Sequence, residues 1–525
     1  MKILVSDNLS PVGVEILKKA GGIEVDVKTG LSKDELIQII PAYDGLVVRS
    51  ATKVTAEVIE AASRLRVIGR AGVGVDNIDL EAAGKKGIIV MNAPDGNTIT
   101  TGEHTMALLL SMSRNVPRAA WSLKYEKKWS PKSFMGVELY GKTLGIVGLG
   151  RIGTVVAERA KGFCMKILGY DPFISKDHAE KLGVELVELP DLLRRSDFIT
   201  LHTPKIEGRP LLGREEFNQV KPGVRLVNCA RGGLIDPEAL IQAIRDKKVA
   251  QAALDVFEKE PLDPDSPLLE VDEIICTPHL GASTEEAQEK VAVAVCDQII
   301  DFLKFGNIRN AVNMPSIDEE TLKQIRPFLE LGEDLGKIIS QLAEGPVTRI
   351  QVQYNGEVAG VNVQPITISV LKGLFNRSID GVNMVNAPFL AKERGIEVQE
   401  SKSNEIKEYT NVIEVRAETG NGWREVAGSI FGKGDPRIIR LDDYSFEAVI
   451  TKHMLILKNK DVPGVIGNLG TILGENQINI AGFHLGRMAS GDAVSVINID
   501  QPPTSEALRQ LREAPNVLEV YSVVL

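Results

Sequence analysis

The chain has 525 residues, too many for a single core, so about two to four domains are expected. Its formal net charge of -10 and the lack of a basic run argue against nucleic acid or an anionic membrane as the main partner. None of the four cysteines forms a CxxC pair, no apolar run is long enough to span a bilayer and no signal peptide is indicated, which predicts a cytoplasmic protein with neither a metal site nor a disulfide framework.

The N-terminal part of the chain alternates short apolar segments with helical patterns. Strands are predicted at KILVSD, IEVDVK, GLVVRS, LRVIGRAG and IIVMNAP, with helical segments between them. Strand and helix in alternation predict a parallel sheet with helices on its faces.

The alternation starts again at Lys142 and contains a glycine motif. GIVGLGRIG sets Gly148, Gly150 and Gly153 in GxGxxG spacing, between an apolar strand and a helical pattern. In that context the glycines allow a tight turn, a close approach of the backbone to a pyrophosphate and close packing of the helix. Asp171 ends the next strand, where an acid binds a ribose diol and repels a 2′-phosphate, so NAD is favoured over NADP.

A helix is predicted after this second unit, and two further regions follow. Ser283 and Glu286 have the spacing of a capping box, and the helical pattern that they open continues to Phe305, which could return the chain to the first unit. Residues 322–445 mix helical and strand-like segments without a chemical motif. Residues 451–525 have the order βαββαβ, which predicts a ferredoxin-like domain.

Three polar residues follow apolar strands of the second unit: Arg231, Glu260 and His279. Ligands of open α/β sheets bind at these carboxyl ends of strands, so the three side chains are expected near the nicotinamide. A histidine can take a hydroxyl proton near neutral pH, and a carboxylate on its other ring nitrogen fixes the tautomer. An arginine can hold a substrate carboxylate with two hydrogen bonds. This set predicts NAD-dependent oxidation of a secondary alcohol.

The motifs also carry a family resemblance. GRAGVGVDNID, GLGRIG, NCARGGLID, ALDVFEKEP and PHLGAST occur in order, and through them residues 1–313 resemble the D-isomer-specific 2-hydroxyacid dehydrogenase family. The tail resembles an ACT domain, and the region before it resembles the intervening domain of the long-form members that act on 3-phosphoglycerate. The resemblance implies oxidation of 3-phospho-D-glycerate to 3-phosphohydroxypyruvate, the first step of the phosphorylated L-serine pathway, with side reduction of 2-oxoglutarate to 2-hydroxyglutarate.

The resemblance also implies a division of the chain into domains. Two Rossmann-like, doubly wound parallel sheets are expected, one for the substrate (1–97 with 282–311) and one for NAD (98–281). An intervening α+β domain, similar to an allosteric substrate-binding domain, is expected over 312–450. The ferredoxin-like ACT domain is expected over 451–525.

Residue roles follow from the same resemblance. Its catalytic triad corresponds to Arg231, Glu260 and His279. The implied NAD contacts are Gly148, Gly150, Arg151, Ile152, Gly153, Asp171, Thr203, Cys229, Ala230, Arg231, Asp255 and His279. The implied substrate contacts are Arg49, Ser50, Arg70, Val73, Gly74 and Asn77, with the two arginines near the phosphate and the backbone of Val73 and Gly74 near the carboxylate. Among the other histidines, His202 is expected to pack near the cofactor, and His104, His178, His453 and His484 are expected to be structural.

An effector and an assembly complete the expectations. L-serine is expected to bind the ACT domain through Asn459, Asp461 and Asn479, and the family resemblance implies a homotetramer. Two alternatives stay open: an NAD-sensing protein of the corepressor type, and a dehydrogenase of another D-2-hydroxy acid. Relatives of the second kind usually lack the last part of this chain, which argues against both, although the fold alone does not decide function.

Overall fold

The computed structural model describes residues 1–205, 208–315, 319–405, 408–432 and 434–525, which form four sheets. The first sheet has five parallel strands in the order β2-β1-β3-β4-β5. Strands β1 to β5 are Lys2–Val5, Glu24–Val27, Gly45–Val48, Val67–Arg70 and Ile89–Asn92. Helices α1 to α4 are Pro11–Lys19, Lys33–Ile39, Ala56–Ala61 and Leu80–Lys85. Central strands such as β3 are buried along their whole length, because helices cover both faces of a parallel sheet.

The second sheet has seven parallel strands in the order β12-β11-β10-β9-β6-β7-β8. Strands β6 to β12 are Thr143–Val147, Lys166–Tyr170, Glu185–Leu186, Phe198–Leu201, Val224–Asn228, Val249–Leu254 and Ile274–Cys276. Helices α5 to α11 are Thr98–Ser113, Val116–Trp121, Arg151–Gly162, Lys176–Lys181, Leu189–Arg195, Arg214–Phe217 and Pro237–Arg245. Its order reverses at β6, the strand that carries the glycine motif, which makes that point a topological switch.

Helix α12, Glu285–Phe305, leaves the second sheet and packs on the first. Its Val295 and Ile299 share one apolar cluster with Ile3 and other strand residues. A Cβ at Gly69 would lie 2.4 Å from Ile299 Cδ1, so a glycine there lets the helix approach β4. The predicted cap is wrong by one residue: Thr284, whose hydroxyl accepts from the Ala287 amide at 3.2 Å, caps the helix in place of Ser283.

The third sheet has the order β14-β13-β15-β16-β17-β18 and is antiparallel except for the β13–β14 pair. Strands β13 to β18 are Val347–Gly356, Glu397–Ser403, Asn411–Thr419, Gly422–Phe431, Asp435–Leu441 and Tyr444–Val449. Helices α13 to α15 are Glu319–Leu342, Gln364–Phe375 and Ala387–Glu393. Leu331, Leu335 and Ile366 of the helices bury one face of the sheet, and strands such as β18 therefore alternate buried and exposed residues.

The fourth sheet is antiparallel, in the order β20-β21-β19-β22. Strands β19 to β22 are His453–Lys460, Ile480–Arg487, Asp492–Ile499 and Val517–Val524, and helices α16 and α17 are Val465–Glu475 and Ser505–Glu513. The element order is βαββαβ, as predicted, and the predicted fold class is confirmed.

Short helical turns occupy several connections. Four 3-10 turns are Ile40–Ala42, Pro131–Phe134, Pro267–Glu270 and Glu357–Gly360, and a π-helical turn is Ser122–Glu126. Within the described ranges, no helix combines the length and the apolar composition needed to cross a bilayer.

Candidate active site

Loops from the first two sheets meet where the carboxyl ends of their strands face each other. Arg231, after β10, places its Nε atom 3.4 Å from an Asp76 carboxylate oxygen in the loop after β4. A Cβ at Gly74 would lie 2.4 Å from Arg231 Nη2, so a glycine is what lets the guanidinium lie against this loop. A second link pairs Arg151 Nε with Asp95 at 3.0 Å. The loops at the carboxyl ends of the two sheets therefore lie against each other, and these loops carry the predicted site residues.

The glycine-rich turn has the geometry of a dinucleotide site. Gly148 has φ +94, which favours glycine, and a Cβ at Gly153 would lie only 2.0 Å from the Gly148 carbonyl oxygen. Gly150 is the N-cap of α7, and nothing lies within 4 Å of where its Cβ would stand. Arg151 and Ile152 begin the helix, exposed and half-buried respectively. The first helical amides thus face open space beside a glycine, as an anionic pyrophosphate requires.

Asp171 lies directly beside this turn. One carboxylate oxygen accepts from the Leu149 amide at 2.9 Å, and the other accepts from the Phe173 amide at 2.9 Å. These bonds fix the carboxylate at the end of β7, where it can also accept from a ribose diol. The sequence did not reveal this second task of Asp171, because backbone donors carry no side-chain signature.

Two residues after β9 also border the turn. The hydroxyl of Thr203 is buried without a hydrogen-bond partner in the described structure. His202 Nε2 lies 3.0 Å from the Thr200 hydroxyl, and burial lowers the pKa of His202 to about 4. A neutral imidazole packed against the turn agrees with the predicted packing role, and the unused Thr203 hydroxyl is free to bond a ligand.

Glu260 and His279, which were predicted to form an acid–base pair, lie within hydrogen-bond distance of each other. Glu260 Oε2 lies 2.6 Å from His279 Nδ1, and the Phe257 amide donates to Glu260 Oε1 at 3.0 Å. The hydrogen bond from His279 to the Glu260 carboxylate raises the pKa of His279 above its ordinary value, although partial burial opposes the shift. Burial alone would raise the pKa of Glu260, but the bonds from His279 and Phe257 outweigh it and hold that pKa below its ordinary value. Since Nδ1 is engaged, Nε2 is the atom left for proton transfer.

Asp255 is fully buried and faces the loop that carries His279. Its carboxylate accepts from the Thr277 hydroxyl at 2.6 Å and from the amides of Leu280 and Gly281, each at 2.8 Å. The resemblance gave Asp255 only a cofactor contact, whereas the described hydrogen bonds go to the loop that carries His279.

A group of metal-ligand types surrounds the same carboxylate. One ligand atom each of His104, Cys229 and Asp255 lies within 4.8 Å of the others. The Asp255 oxygens already accept three well-formed hydrogen bonds, and burial raises the pKa of Cys229 to about 12, which keeps its thiol protonated. We therefore interpret the group as part of the hydrogen-bonded surroundings of Asp255. His104, which was expected to be structural, lies on α5 with its Nε2 atom 3.2 Å from Asp255 Oδ1.

The side chain of Asn228, which was not among the predicted site residues, stabilises the loop that carries Arg231. Asn228 accepts from the Ala230 amide and donates to the Arg231 carbonyl, both at 3.0 Å. Ala230 is buried, and Arg231 Nη1 donates to its carbonyl at 2.8 Å. The side chain of Asn228 thereby holds the turn that presents Arg231.

The first sheet contributes two more arginines. Arg49 Nη1 donates to the Asn8 carbonyl at 3.0 Å, and Arg70 Nε donates to Asn77 Oδ1 at 3.2 Å. Burial, with added repulsion from Arg231 and Arg49, lowers the pKa of Arg70 to about 10. Arg70 thus lies within electrostatic reach of two other guanidinium groups, and this concentration of positive charge suits an anionic ligand.

Buried and half-buried polar residues hold these loops in place. Asp7 accepts from the Arg49 amide at 2.6 Å and from the Thr52 hydroxyl at 2.6 Å. Asn77 Nδ2 donates to the Arg49 and Thr52 carbonyls, and Asn92 Nδ2 donates to the Val73 carbonyl at 2.5 Å. Asn77 thus stabilises the loop after β3 and is also a candidate substrate contact. The predicted contact Ser50 is exposed between them.

The predicted effector residues do not come together within one chain. Asn459 is buried, and its amide bonds the Ser495 hydroxyl and the Lys460 carbonyl. Asp461 pairs with Arg487 at 2.6 Å, at the C-terminal end of β20. Asn479 precedes the N-terminal end of the same strand, and its amide donates to Asp500 at 2.7 Å. Strand β20 has eight residues, so its ends are roughly 23 Å apart at about 3.3 Å per residue.

Comparison with known families covers most of the chain. Residues 106–281 match the NAD-binding domain of D-isomer specific 2-hydroxyacid dehydrogenases. Residues 324–442 match the intervening domain of D-3-phosphoglycerate dehydrogenase, and residues 453–516 match the ACT domain.

Individual proteins extend this likeness over the full length. The D-3-phosphoglycerate dehydrogenases of Archaeoglobus fulgidus and Methanocaldococcus jannaschii are 45% and 47% identical, each alignment covering 100% of both chains. The NAD+-bound 3-phosphoglycerate dehydrogenase of Entamoeba histolytica is 32% identical with a TM-score of 0.51, over 60% of this chain and 99% of that one. The apo D-lactate dehydrogenase of Escherichia coli is 28% identical with a TM-score of 0.53, over 59% of this chain and 100% of that one.

Proposed function

This chain belongs to the D-3-phosphoglycerate dehydrogenase family and is an NAD-dependent oxidoreductase, and from that premise we propose that it oxidises 3-phospho-D-glycerate to 3-phosphohydroxypyruvate. The observation that supports the substrate most directly is the cluster of Arg49, Arg70 and Arg231 beside the Glu260–His279 pair. Three cations suit a substrate with a phosphate at one end and a carboxylate at the other. The pair supplies the proton acceptor that oxidation of a hydroxyl requires.

The proton leaves the substrate hydroxyl for Nε2 of His279. Glu260 holds Nδ1 as a hydrogen-bond donor, which keeps the opposite nitrogen unprotonated and ready to accept. As the imidazole becomes charged, the Glu260 carboxylate stabilises it. In the reverse direction the same nitrogen returns the proton to the carbonyl oxygen.

Arg231 and the loop after β4 bind the substrate carboxylate in this proposal. The guanidinium lies against Gly74, so a carboxylate placed beside both can meet the Arg231 side chain and the backbone of Val73 and Gly74. Arg49 and Arg70 take the phosphate, with Ser50 and Asn77 at the edge of that site. Bidentate bonds of this kind fix the orientation of the reacting carbon as well as the affinity.

The residues present fit a dinucleotide. The open space at Gly150, the buried and unpaired Thr203 hydroxyl and the Asp171 carboxylate lie around one turn, next to Arg151 and Ile152. The Cys229–Ala230 segment, which follows β10 of the same sheet, is a further proposed contact. NAD, when bound there, supplies the acceptor of the hydride. The chain contributes the helix N-terminus to the pyrophosphate and the Asp171 carboxylate to the ribose.

An assay of NADH formation over a panel of D-2-hydroxy acids tests the proposal. We expect 3-phosphoglycerate to give the highest kcat/KM, with glycerate and lactate far below it. His279→Ala should retain NADH binding and lose about 10² to 10⁴-fold in kcat, the usual value of general acid–base catalysis. A preference for an unphosphorylated acid would contradict the substrate assignment, and near-normal turnover of the variant would contradict the role of His279.

We infer a place in serine synthesis from the same chemistry. Oxidation of 3-phosphoglycerate is the first step of the phosphorylated L-serine pathway. Reduction of 2-oxoglutarate to 2-hydroxyglutarate is a side reaction in this proposal, because that 2-oxo acid also carries anionic groups at both ends. L-serine is the proposed effector, bound by Asp461 and Asn479 of different chains, with buried Asn459 supporting the loop.

We infer the substrate domain from residues 1–97 and 282–311 and the NAD domain from 98–281, since α12 packs on the first sheet. The intervening domain then spans 312–450 and the ACT domain 451–525. A homotetramer is the proposed assembly. Association of chains is supported by a run of exposed apolar side chains between α5 and β6: Trp121, Tyr125, Trp129, Met135 and Tyr140. Four cysteines without a disulfide agree with the cytoplasm as the proposed location.

A further inference from the structure

The backbone of His279 adopts a conformation that its own side chain does not favour. His279 has φ +54, in the left-handed region that residues with a Cβ rarely populate. Its amide bonds the Thr277 carbonyl at 3.0 Å, so residues 277–279 form a tight turn. Such a conformation persists only where neighbouring groups hold it.

Asp255 stabilises this turn through hydrogen bonds. Its buried carboxylate accepts from Thr277 on one side of His279 and from Leu280 and Gly281 on the other. The residues before and after His279 therefore share one hydrogen-bond acceptor, the carboxylate of Asp255, which directly follows β11.

Helix α5 also contacts this loop. The Thr101 hydroxyl donates to the Gly281 carbonyl at 2.9 Å. A Cβ at Gly281 would lie 3.3 Å from Asp255 Oδ2 and 3.4 Å from Thr101 Cγ2, so the loop is held closely between the two side chains. His104 Nε2, on the next turn of α5, lies 3.2 Å from Asp255 Oδ1 but lacks a well-aligned hydrogen bond.

We propose that Asp255, Thr101 and His104 are positioning residues for proton transfer, which hold the loop of residues 277–281 so that His279 stays bonded to Glu260. The proposal rests on the proposed function of His279 as the proton acceptor. It gives Asp255 a task beyond contact with NAD and gives His104 and Thr101 a task that no motif indicates. We call Asp255, Thr101 and His104 together the brace. Because α5 begins where the chain passes from the first sheet to the second, the brace also connects this helix to the loop of residues 277–281.

The charges around the brace set the direction of its effect. His279 faces the anions Glu260 and Asp255 and the cation Arg231, while Asp255 faces His104 and the protonated thiol of Cys229. Removal of the Asp255 charge should therefore make His279 easier to deprotonate. A residue that only contacts NAD would change cofactor affinity and leave the titration of His279 unchanged.

Asp255→Asn is the first test, because asparagine preserves the shape of the side chain. We expect kcat to fall by about tenfold or more, as for a general base that loses its geometry. The acidic limb of the kcat profile should move to lower pH, with the KM for 3-phosphoglycerate changed less than kcat. Weakened NADH binding with an unchanged kcat limb would overturn the proposal in favour of a simple cofactor contact.

Thr101 provides a test that changes no charge. Thr101→Val removes the hydroxyl at nearly constant volume and should lower kcat several-fold, whereas Thr101→Ser should restore it. Thr100→Val is the matched control, since the Thr100 hydroxyl meets Thr284 and does not meet the catalytic loop. His104→Gln should behave as a weaker Asp255→Asn. Equal loss in Thr101→Val and Thr101→Ser, or in Thr100→Val, would overturn the role of the Thr101 hydroxyl.

Carbon-13 NMR of ring-labelled histidine measures the titration of His279 in the absence of substrate, and so tests the effect of Asp255 and Thr101 directly. The chain has six histidines, and the His279 signal is the one missing from His279→Gln. We expect its titration midpoint to fall in Asp255→Asn and in Thr101→Val and to stay in place in Thr100→Val. An unchanged midpoint in both brace variants would overturn the proposal. Because the signal needs no turnover, an enzyme that rejects 3-phosphoglycerate would contradict the proposed substrate and still report on the brace.

Discussion

The imidazole of His279 owes its chemistry to one contact, the 2.6 Å bond to Glu260. The contact raises the pKa of His279 and lowers that of Glu260, so each residue favours the charged form of the other. A histidine whose pKa is raised in the folded state stabilises the fold fully at pH values below its ordinary pKa. This contribution is lost as the pH rises through the raised pKa. A carboxyl group whose pKa is lowered in the folded state stabilises the fold fully at pH values above its ordinary pKa. The pair therefore contributes fully between pH 4.5 and 6.5, the two ordinary values.

Glu260→Gln tests this pair at the level of a residue. Without the carboxylate the pKa of His279 falls, so the acidic limb of the kcat profile for alcohol oxidation should move to lower pH. The plateau should drop by less than in His279→Ala, because the base itself remains. A pH–rate profile with saturating substrate gives both quantities. If the limb stays where it is in the unmodified protein, Glu260 does not control the titrating group.

The thermal stability of the same variant gives an independent check. The difference in Tm between the unmodified protein and Glu260→Gln should be largest between pH 4.5 and 6.5 and should shrink at higher pH. Calorimetry at several pH values measures it. A difference that grows above neutral pH would have the wrong sign for this pair.

Asp171 sets the cofactor preference in a second prediction. Asp171→Asn keeps an oxygen for the Leu149 amide and removes the charge that repels a 2′-phosphate. Loss of one charged hydrogen bond costs about 1.5 to 3 kcal/mol, so the ratio of kcat/KM for NAD over NADP should narrow by about tenfold or more. Kinetics with both cofactors measure the ratio. An unchanged ratio would show that another group reads the ribose.

At the level of elements, the sequence predicted what depends on periodicity and on glycine. The two parallel sheets, the turn at Gly148 and the βαββαβ order all have local signals, and the structure has them. The shift of the cap from Ser283 to Thr284 had no local signal, because both residues can cap a helix and serine is the more favoured of the two, so local propensity does not select Thr284. Asp7 and Asn228 were missed for a related reason: their partners are backbone groups distant in the sequence or hidden in a turn.

The loops after β3 and β4 give the third prediction. Arg49→Ala and Arg70→Ala should each weaken 3-phosphoglycerate by about tenfold or more, since each removes a charged hydrogen bond, and should affect an unphosphorylated acid much less. Arg64→Ala is the control, because Arg64 pairs with Asp44 at the opposite end of β4. The measurement is KM for both acids in the three variants. Equal losses for both acids would move Arg49 and Arg70 away from the phosphate.

At the level of the whole molecule, contacts join the regulatory sheet to the rest of the chain. Arg424 of the third sheet bonds Asp442 at 2.9 Å and Glu519 of the fourth sheet at 3.0 Å. Asn383, before α15, donates to the Gly87 carbonyl beside β5 at 2.9 Å. A ligand on the fourth sheet can alter activity only if it binds one arrangement of these contacts better than another. Binding of L-serine is therefore a separate question from inhibition by it.

The separation of Asp461 from Asn479 turns the serine site into a prediction about assembly. The two residues lie at opposite ends of β20, an outer strand of its sheet, so one chain cannot bring both to a single small zwitterion. Outer strands of two chains can lie side by side, which would place Asp461 of one chain near Asn479 of the other. Each single variant, Asp461→Ala or Asn479→Ala, should then lose serine binding in calorimetry on the full chain.

A mixed assembly of the two variants distinguishes a shared site from a site within one chain. When the chains are co-expressed with different tags and the mixed species is isolated, one site of each pair contains two altered residues and the other contains none. Serine binding should therefore return at half the stoichiometry of the unmodified protein, with the same affinity. Asp500→Ala serves as a control for the loss of the Asn479 partner alone. A mixed species that binds no serine, or a single variant that binds it normally, would contradict a site built from Asp461 and Asn479 of two chains.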